Sequence, residues 1–265
     1  MSDLATSPAA VPGRAHSPVG DTLVMIRRAV RLSRRNIDAL LTAVLLPAMI
    51  MLLFVYLFGG AIRTSTEYVN YALPGVLVLC TGFVSAQTAV AVTQDLQEGI
   101  VDRFRSMDIG GAAILAGHVA ASVVRTVWAG VVMLAVALLI GFRPDANAFE
   151  WLAALGIVQL FVLAVSWLAA VFGLLSRTPE GANGFAFFLM FLPYPSSAFV
   201  PIETMPGWLR PIAEHQPVTP VIETLRGLLI GMPGTDRAGV AVLWCTGIVL
   251  AAVAVAAVLF RRRTS

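Results

Sequence analysis

Lysine is absent from this 265-residue chain, and all eighteen of its basic residues are arginine. The lysine that grips phosphate in a P-loop and the lysine that forms Schiff bases are therefore both excluded. We accordingly expect the chain to carry no ATP-hydrolysing machinery of its own.

Cysteine and histidine are also scarce. The two cysteines, Cys80 and Cys245, lie within apolar runs, where small buried thiols commonly serve packing. The three histidines form no cluster with cysteine at metal-ligand spacing. The sequence therefore predicts no metal site, and it offers no catalytic residue that we can defend.

Charge is the third scarcity, since 12% of the residues are charged and 58% are apolar. Ordinary soluble domains are roughly 45–50% apolar. The charges are bunched between long uncharged runs, which is typical of segments in hydrocarbon. We predict one all-α integral membrane domain, with no soluble basic domain to hold nucleic acid.

The apolar runs predict six membrane spans, because a crossing helix needs about 20 predominantly apolar residues. The predicted spans are residues 37–58, 71–93, 112–142, 149–175, 184–200 and 240–260. The fifth meets Pro193 and Pro195 after about ten residues, so it must kink, break or turn back.

The segment before the first span is predicted to lie on the membrane surface. Residues 1–20 are rich in Ala, Pro and Ser and are expected to be a disordered cytoplasmic tail. Residues 21–36 place apolar residues at helical spacing opposite a basic face, which is typical of an interfacial amphipathic helix. That face carries Arg27, Arg31, Arg34 and Arg35. Fixing topology and docking a partner both remain open as its role.

The arginines also predict the orientation. With six spans and the N-terminus inside, twelve arginines lie on the cytoplasmic side and five lie outside, with Arg125 set aside within a span. This asymmetry satisfies the positive-inside rule for a chain with both termini in the cytoplasm.

A cytoplasmic helix is predicted over residues 94–107, after the second span. Its apolar residues Leu96, Ile100, Phe104 and Met107 recur at helical spacing. A contact surface for a partner and a simple cap on the bundle are both compatible with that pattern.

Residues 193–234 contain eight of the fifteen prolines, which favours short, broken helices. Glu203, Glu214, Glu223 and His215 lie here, but their spacing matches no metal or paired-carboxylate motif. Capping and salt bridges are the favoured roles of these residues.

Three polar residues fall within predicted spans. Arg125 is a functional candidate because of the cost of a charge in the bilayer, although its long apolar run favours a side chain that reaches the inner boundary. Gln87 and Gln159 have two open roles, lining a polar path or bonding a neighbouring helix.

Two segments carry a family resemblance. The run Glu98-Gly-Ile-Val-Asp-Arg-Phe-Arg-Ser-Met107 resembles the coupling region of type-2 ATP-binding-cassette (ABC) exporter permeases, which include the daunorubicin-resistance type. The run from Phe199 to Arg210, followed by Pro217-Val-Thr-Pro and Glu223-Thr-Leu-Arg-Gly227, resembles the same family's signature before the last span. With the six-span layout, the resemblance covers residues 21–263.

The resemblance implies two sites. The first is an interface with a separate ATPase, formed by Glu98, Gly99, Asp102, Arg103, Phe104, Arg105, Ser106 and Met107, with Arg27, Arg31 and Arg34 from the amphipathic helix. The second is a set of outer re-entrant helices that contain Pro201, Glu203, Pro206, Trp208, Glu223 and Arg226.

The implied function is export across the bacterial cytoplasmic membrane. Two copies, or one copy with a related permease, would pair with two ATPase subunits that bind ATP and Mg, and would move a hydrophobic or amphiphilic drug or lipid. Export of polysaccharide or lipid-linked glycan is the alternative for the same architecture. A membrane enzyme acting on lipid through Glu203, Glu214 and His215 is the alternative of another class.

Overall fold

We analysed a computed structural model that describes residues 18–35, 37–62, 64, 66–101 and 111–263. Every regular element in this part of the chain is a helix. The α-helices are α1 (Pro18–Arg35), α2 (Ile37–Leu53), α3 (Tyr68–Gln97), α4 (Gly111–Leu139), α5 (Ala148–Leu175), α6 (Pro179–Phe191), α7 (Arg210–His215), α8 (Val218–Ile230) and α9 (Ala238–Arg263). Helix α2 continues without a break as a π-helix over Phe54–Phe58.

Four helices of the described chain are long and apolar enough to cross a membrane, namely α3, α4, α5 and residues Ala238–Phe260 of α9. The segment Val44–Phe58 is apolar but shorter. The expected all-α membrane architecture is therefore confirmed, with four crossings visible by helix length alone.

Helix α3 forms the centre of the bundle. Ser85 of α3, Ser122 of α4 and Ser166 of α5 are buried, and their hydroxyls form a chain with Oγ–Oγ distances of 3.2 Å and 2.8 Å. Small residues let helices approach closely in a membrane, where hydrogen bonds between helices add to packing. Close contact recurs at Gly173 of α5, whose carbonyl accepts a 2.9 Å bond from Thr93 Oγ1 of α3.

The bundle has two ends, which we name the Gln97 end and the Tyr68 end. At the Gln97 end, Gln97 Nε2 donates to Arg177 O at 2.7 Å, beyond α5. At the Tyr68 end, the α4–α5 loop is fixed by a 3.1 Å bond from Asp145 N to Leu229 O of α8. Helices α3, α4 and α5 therefore each run from one end to the other.

The continuous helix over residues 37–58 also runs between the two ends. It follows α1, which packs on α4 near the Gln97 end, where a Cβ at Gly117 would lie 3.2 Å from Met25. At the other end, Phe54 stacks on Phe199 with ring centroids 4.5 Å apart. The 22 residues of this continuous helix correspond to about 33 Å at 1.5 Å per residue.

Helix α6 reaches only halfway along α3. It begins at Pro179 after the Thr178 cap, whose Oγ1 accepts a hydrogen bond from Gly181 N at 3.2 Å. Near its end, Leu189 and Met190 lie beside Gly82 in the middle of α3. The helix predicted over 184–200 therefore begins earlier and ends at Phe191. Pro193 explains the stop, because proline lacks the donor needed to extend a helix.

The chain then continues along α3 without regular helix. Ala198 lies against Gly75, where a Cβ would be 2.7 Å from the Ala198 Cβ. Tyr68 Oη donates a 3.0 Å bond to Phe199 O. Residues 192–199 thus run from the middle of α3 to its first turn, the distance that α6 leaves uncovered.

Candidate coupling and translocation site

The last turns of α3 are cross-linked to both neighbouring helices at the Gln97 end. His118 Nε2 of α4 lies 3.0 Å from Asp95 Oδ2 of α3. Gln97 Nε2 donates to Arg177 O at 2.7 Å, and Thr93 Oγ1 donates to Gly173 O at 2.9 Å. Bonds to α4 on one side and to the end of α5 on the other fix the position and direction of the end of α3.

Helix α3 ends at a turn formed by two residues predicted to contact an ATPase. The backbone N–H of Glu98 donates to Gln94 O at 2.9 Å, and Gly99 has a φ of 67°. A left-handed glycine is a common helix terminator because it lacks a Cβ. Residues 94–97 therefore belong to α3, whereas a separate helix was predicted to begin at residue 94; residues 102–107 of that prediction lie outside the described residues.

The chain is helical again at Ile100 and Val101. Val101 is 4% exposed and packs in a cluster with Ile114, Leu174 and Phe260. This apolar anchor fixes Val101 against α4, α5 and α9. The predicted interface residues Asp102, Arg103, Phe104, Arg105, Ser106 and Met107 lie outside the described residues.

Helix α1 presents a mixed surface beside this end. Met25 is buried against α4, whereas Leu23 is 67% exposed. Arg27 and Arg31 are exposed, and the side chain of Arg34 lies outside the described set. An exposed leucine and exposed arginines on one helix fit a segment at the boundary between lipid and water.

The middle of the bundle exposes one polar side chain of α3. Gln87 is the single exposed residue between Tyr68 and Thr93, all of which are described. On α6, the helix that packs beside α3, Phe187 and Phe188 are 58% and 65% exposed. Gln87 therefore faces away from the helices that pack around α3.

The other two polar residues of the predicted spans face neighbouring helices. Arg125 is partly buried, and its Nη2 donates to Thr88 Oγ1 of α3 at 3.3 Å. Gln159 is partly buried on α5 and lines an apolar cavity between α4 and α5. How deep Arg125 lies in the bilayer stays a prediction.

Arg226 is the main polar residue of the Tyr68 end. Its side chain is 3% exposed, its Nε donates to Tyr71 O at 2.9 Å, and its Nη2 donates to Ser197 O and, at 3.0 Å, to Ala198 O. The guanidinium carbon lies 3.6 Å from the centroid of the Tyr71 ring. Arg226 thus joins α8, α3 and the non-helical segment 192–199.

A cavity of about 340 Å³ opens beside Arg226, and we name it the outer cavity. Pro201, Glu203 and Glu223 line it together with Arg226. Glu223 Oε2 lies 3.1 Å from Arg237 Nε. Burial raises the pKa of the Glu223 carboxyl, while the positive charges of Arg237 and Arg226 oppose that rise.

The remaining residues of the predicted outer region do not join this cavity. Pro206 is exposed and Trp208 is 73% exposed, as expected of an aromatic side chain at a membrane interface. Glu214 and His215 are exposed on α7, and His215 Nδ1 lies 2.9 Å from Pro211 O. Among the described residues, no hydrogen bond or ion pair connects Glu203, Glu214 and His215.

Sequence reasoning missed the pair formed by His118 and Asp95. Neither residue was assigned a role, although one precedes the end of α3 and the other follows the start of α4. A signal was present, because residues at the same depth of adjacent antiparallel spans come close together. Applied to the end of the second span and the start of the third, this rule places Asp95 and His118 at the same depth.

The comparisons with known proteins match nearly the whole chain. The ABC-2 type transporter family model matches residues 21–230. The daunorubicin resistance ABC transporter permease protein DrrB1 of Streptomyces coeruleorubidus is 33% identical over 241 residues, which cover 90% of this chain and 82% of that protein. The probable doxorubicin resistance ABC transporter permease protein DrrC of Mycobacterium tuberculosis (strain ATCC 25618 / H37Rv) is 22% identical over an alignment of 271 positions, which covers 99% of this chain and 97% of that protein.

The family match covers α1 to α8 and includes both segments that carried the resemblance in the sequence. The predicted family is thereby confirmed. This multi-pass membrane protein belongs to the ABC-2 type transporter family, as a permease subunit of an ABC exporter.

Proposed function

We propose that this permease exports a hydrophobic or amphiphilic drug across the bacterial cytoplasmic membrane, with two permease subunits facing each other and two ABC ATPase subunits bound at the Gln97 end. The ATPases bind ATP and Mg, and the permease supplies the pathway. The names of the relatives, which are daunorubicin and doxorubicin resistance permeases, favour a drug over a glycan as cargo.

The observation that carries this proposal is the continuity of α3. Its 30 residues form a rod of about 45 Å. One end carries the Glu98–Gly99 turn braced by His118 and Arg177, and the other end is gripped by Arg226. A displacement at the turn therefore reaches both the middle and the far end of the same helix.

The exposed surface of α3 and α6 is where we place the pathway. Gln87 supplies a polar group, and Phe187 and Phe188 supply apolar aromatic area. One subunit leaves this surface open, so a second permease is needed to enclose cargo. An apolar wall with few polar groups suits a cargo that is itself largely apolar.

Six crossings with both termini inside complete the proposal. Residues 37–58 supply one crossing beyond the four long helices, and α6 with residues 192–199 supplies the other. Non-helical backbone at membrane depth is tolerated where it is buried in protein. Here Ser196, Ser197 and Ala198 are buried, and Arg226 binds the Ser197 and Ala198 carbonyls.

The test is ATP-driven transport by the permease and its ABC ATPase in proteoliposomes, with doxorubicin fluorescence as the readout. We expect Arg103→Glu and the helix-breaking Phe104→Pro to reduce transport at least tenfold, while the protein still inserts and the ATPase still hydrolyses ATP. Arg262→Glu is the matched control, because Arg262 is an exposed arginine of the same end outside the predicted interface. Normal transport by both coupling variants would overturn the proposal.

A further inference from the structure

A cavity of about 410 Å³ lies between α4 and α5, and it shares no lining residue with the outer cavity. Its lining runs along α5 from Ala148 to Gln159. Those eleven steps correspond to about 17 Å of helix. One leaflet of a bilayer has a hydrocarbon thickness of about 15 Å, so the cavity is as deep as one leaflet.

The lining is apolar along most of this length. Leu225 and Leu229 of α8 are fully buried and form part of the lining, whereas Val131 and Leu152 on the facing helices are 57% and 66% exposed. Trp151 lines the end near the Tyr68 end of the bundle. The cavity is therefore bounded by protein on the α8 side and has exposed apolar side chains where α4 and α5 face the bilayer.

Gly130 leaves the space unfilled. It lines the cavity, and a Cβ built on it would have no atom within 4 Å. A larger residue at this position would favour the helix by up to about 1 kcal/mol. The glycine is thus required neither by close helix contact nor by backbone conformation, and its effect is to keep the cavity open.

Two polar groups lie at the inner end of the cavity. Thr126 is 3% exposed, and its hydroxyl has no hydrogen-bond partner among the described residues. The Gln159 Oε1 atom is also buried and without such a partner. A threonine in a helix usually bonds the carbonyl one turn back, and an unpaired buried polar atom costs about 1–3 kcal/mol.

We propose that this cavity is a lateral binding site for a hydrophobic molecule that carries one hydroxyl-type group at its leading end. The apolar part of the ligand fills the cavity space beside Gly130. The hydroxyl donates to Gln159 Oε1 and accepts from the Thr126 hydroxyl, so one ligand group pairs both polar atoms. A plain hydrocarbon chain would fill the volume but leave both unpaired.

This inference goes beyond the proposed function, because it concerns binding from the bilayer and needs neither ATP nor a partner. The probe is an eight-carbon alkanol that carries a photoreactive diazirine, and its methyl ether is the comparison compound. The permease is held in phosphatidylcholine nanodiscs, and labelled residues are located by peptide mass spectrometry.

We expect saturable labelling of cavity residues by the alkanol and a loss of at least fivefold in Gly130→Leu, which fills the space. Gly156→Leu is the matched control, since Gly156 is an exposed α5 glycine outside the cavity and a Cβ there also meets no atom. Thr126→Val with Gln159→Leu should weaken alkanol labelling about threefold to tenfold. Labelling by the ether should not change.

Three results would overturn the proposal. Labelling that is unsaturable and equal along the exposed face of α9 would mean general contact with lipid. Equal labelling by alkanol and ether in every variant would mean that no ligand group meets Thr126 and Gln159. A disulfide-linked dimer through Val131→Cys, together with failure of the probe to enter, would mean that a second copy covers the cavity. The first two results leave the export proposal unchanged, whereas the third would also contradict the placement of the second permease against the exposed surface of α3 and α6.

Discussion

Arg226 illustrates how one residue joins three parts of the chain. Its guanidinium donates to carbonyls of Tyr71, Ser197 and Ala198 and stacks on the Tyr71 ring. Arginine suits this position because its planar fork has five donors in fixed geometry. Three backbone carbonyls that are buried beside the non-helical segment thereby obtain a donor.

Replacing Arg226 tests this role. We expect Arg226→Met to destabilise the protein by about 1–3 kcal/mol for each carbonyl left unpaired. Arg226→Lys should recover only part of the loss, because an ammonium group cannot reproduce the planar fork. Thermal unfolding of purified protein in detergent measures the change in Tm.

Arg210→Met is the matched control for this experiment. Arg210 also donates to backbone carbonyls, namely those of Met205 and Glu203, but it is exposed. Water can replace its bonds, so a loss below about 1 kcal/mol is expected. Equal Tm losses in the two methionine variants would contradict the role assigned to Arg226.

The sequence alone predicted Arg226 in the outer region and counted it as an outside charge, whereas the structure buries its side chain. Its partners explain the difference, because Tyr71 precedes it by 155 residues and Ser197 by 29. No spacing rule links positions so far apart. Only the packing of α8 on α3 brings the guanidinium to those carbonyls.

At the level of elements, the end of α3 depends on Gly99. The φ of 67° at Gly99 would cost a residue with a Cβ roughly 1–2 kcal/mol. A β-branched residue suits this left-handed backbone least, because its side chain is stiff and favours extended backbone. We expect Gly99→Val to reduce transport severalfold while insertion and ATPase binding persist. Transport by the reconstituted complex, normalised to inserted protein, is the measurement.

Gly99→Asn distinguishes the effect of losing the left-handed turn from the effect of merely adding a side chain at this position. Asparagine tolerates the left-handed conformation better than other residues with side chains. It should therefore retain most of the transport. Equal transport by the valine and asparagine variants would show that coupling does not depend on the left-handed turn at Gly99.

The contact between α3 and the non-helical segment depends on Gly75. A Cβ there would lie 2.7 Å from the Ala198 Cβ and 2.8 Å from the Ala198 O atom, so a neighbour must shift. We expect Gly75→Ala to destabilise by about 1–3 kcal/mol. Thermal unfolding in detergent again provides the measurement.

Gly247→Ala is the control for this contact. Gly247 is an exposed helical glycine of α9, and a Cβ there meets no atom within 4 Å. Alanine should stabilise this helix by up to about 1 kcal/mol. Opposite signs for the two substitutions are the expected result, and a stabilised Gly75→Ala would show that the segment does not need the close approach.

For the whole molecule, the number of crossings is the main prediction. Single cysteines at Gly20, Ala61, Arg177 and Gly207 are placed at exposed positions on either side of the two proposed additional crossings. With both native cysteines replaced by alanine, a membrane-impermeant maleimide should label Ala61→Cys and Gly207→Cys in intact cells. Gly20→Cys and Arg177→Cys should react only after permeabilisation.

Each pair decides one crossing. Labelling of Gly20→Cys and Ala61→Cys from the same side would show that residues 37–58 do not cross. Labelling of Arg177→Cys and Gly207→Cys from the same side would show that α6 with residues 192–199 turns back. Equal labelling of all four variants after permeabilisation controls for reactivity.

The sequence by itself determined the class of this protein. Scarce charge and long apolar runs require hydrocarbon surroundings. In hydrocarbon, only a helix pairs its backbone N–H and C=O groups within one segment. The motifs at residues 98–107 and 199–227 identified the family, because their residue types could be matched in order without knowing their positions in space. Those properties are local in the chain.

The tertiary structure decided the rest. The stop of α6 at Phe191 was signalled by Pro193, but the path of residues 192–199 along α3 depends on Gly75 and Arg226 lying beside it. The brace between His118 and Asp95 and the cavity above Gly130 likewise arise where separate helices meet. Helical spacing predicts which side of a helix is apolar, but the distances between helices depend on how all of them pack at once.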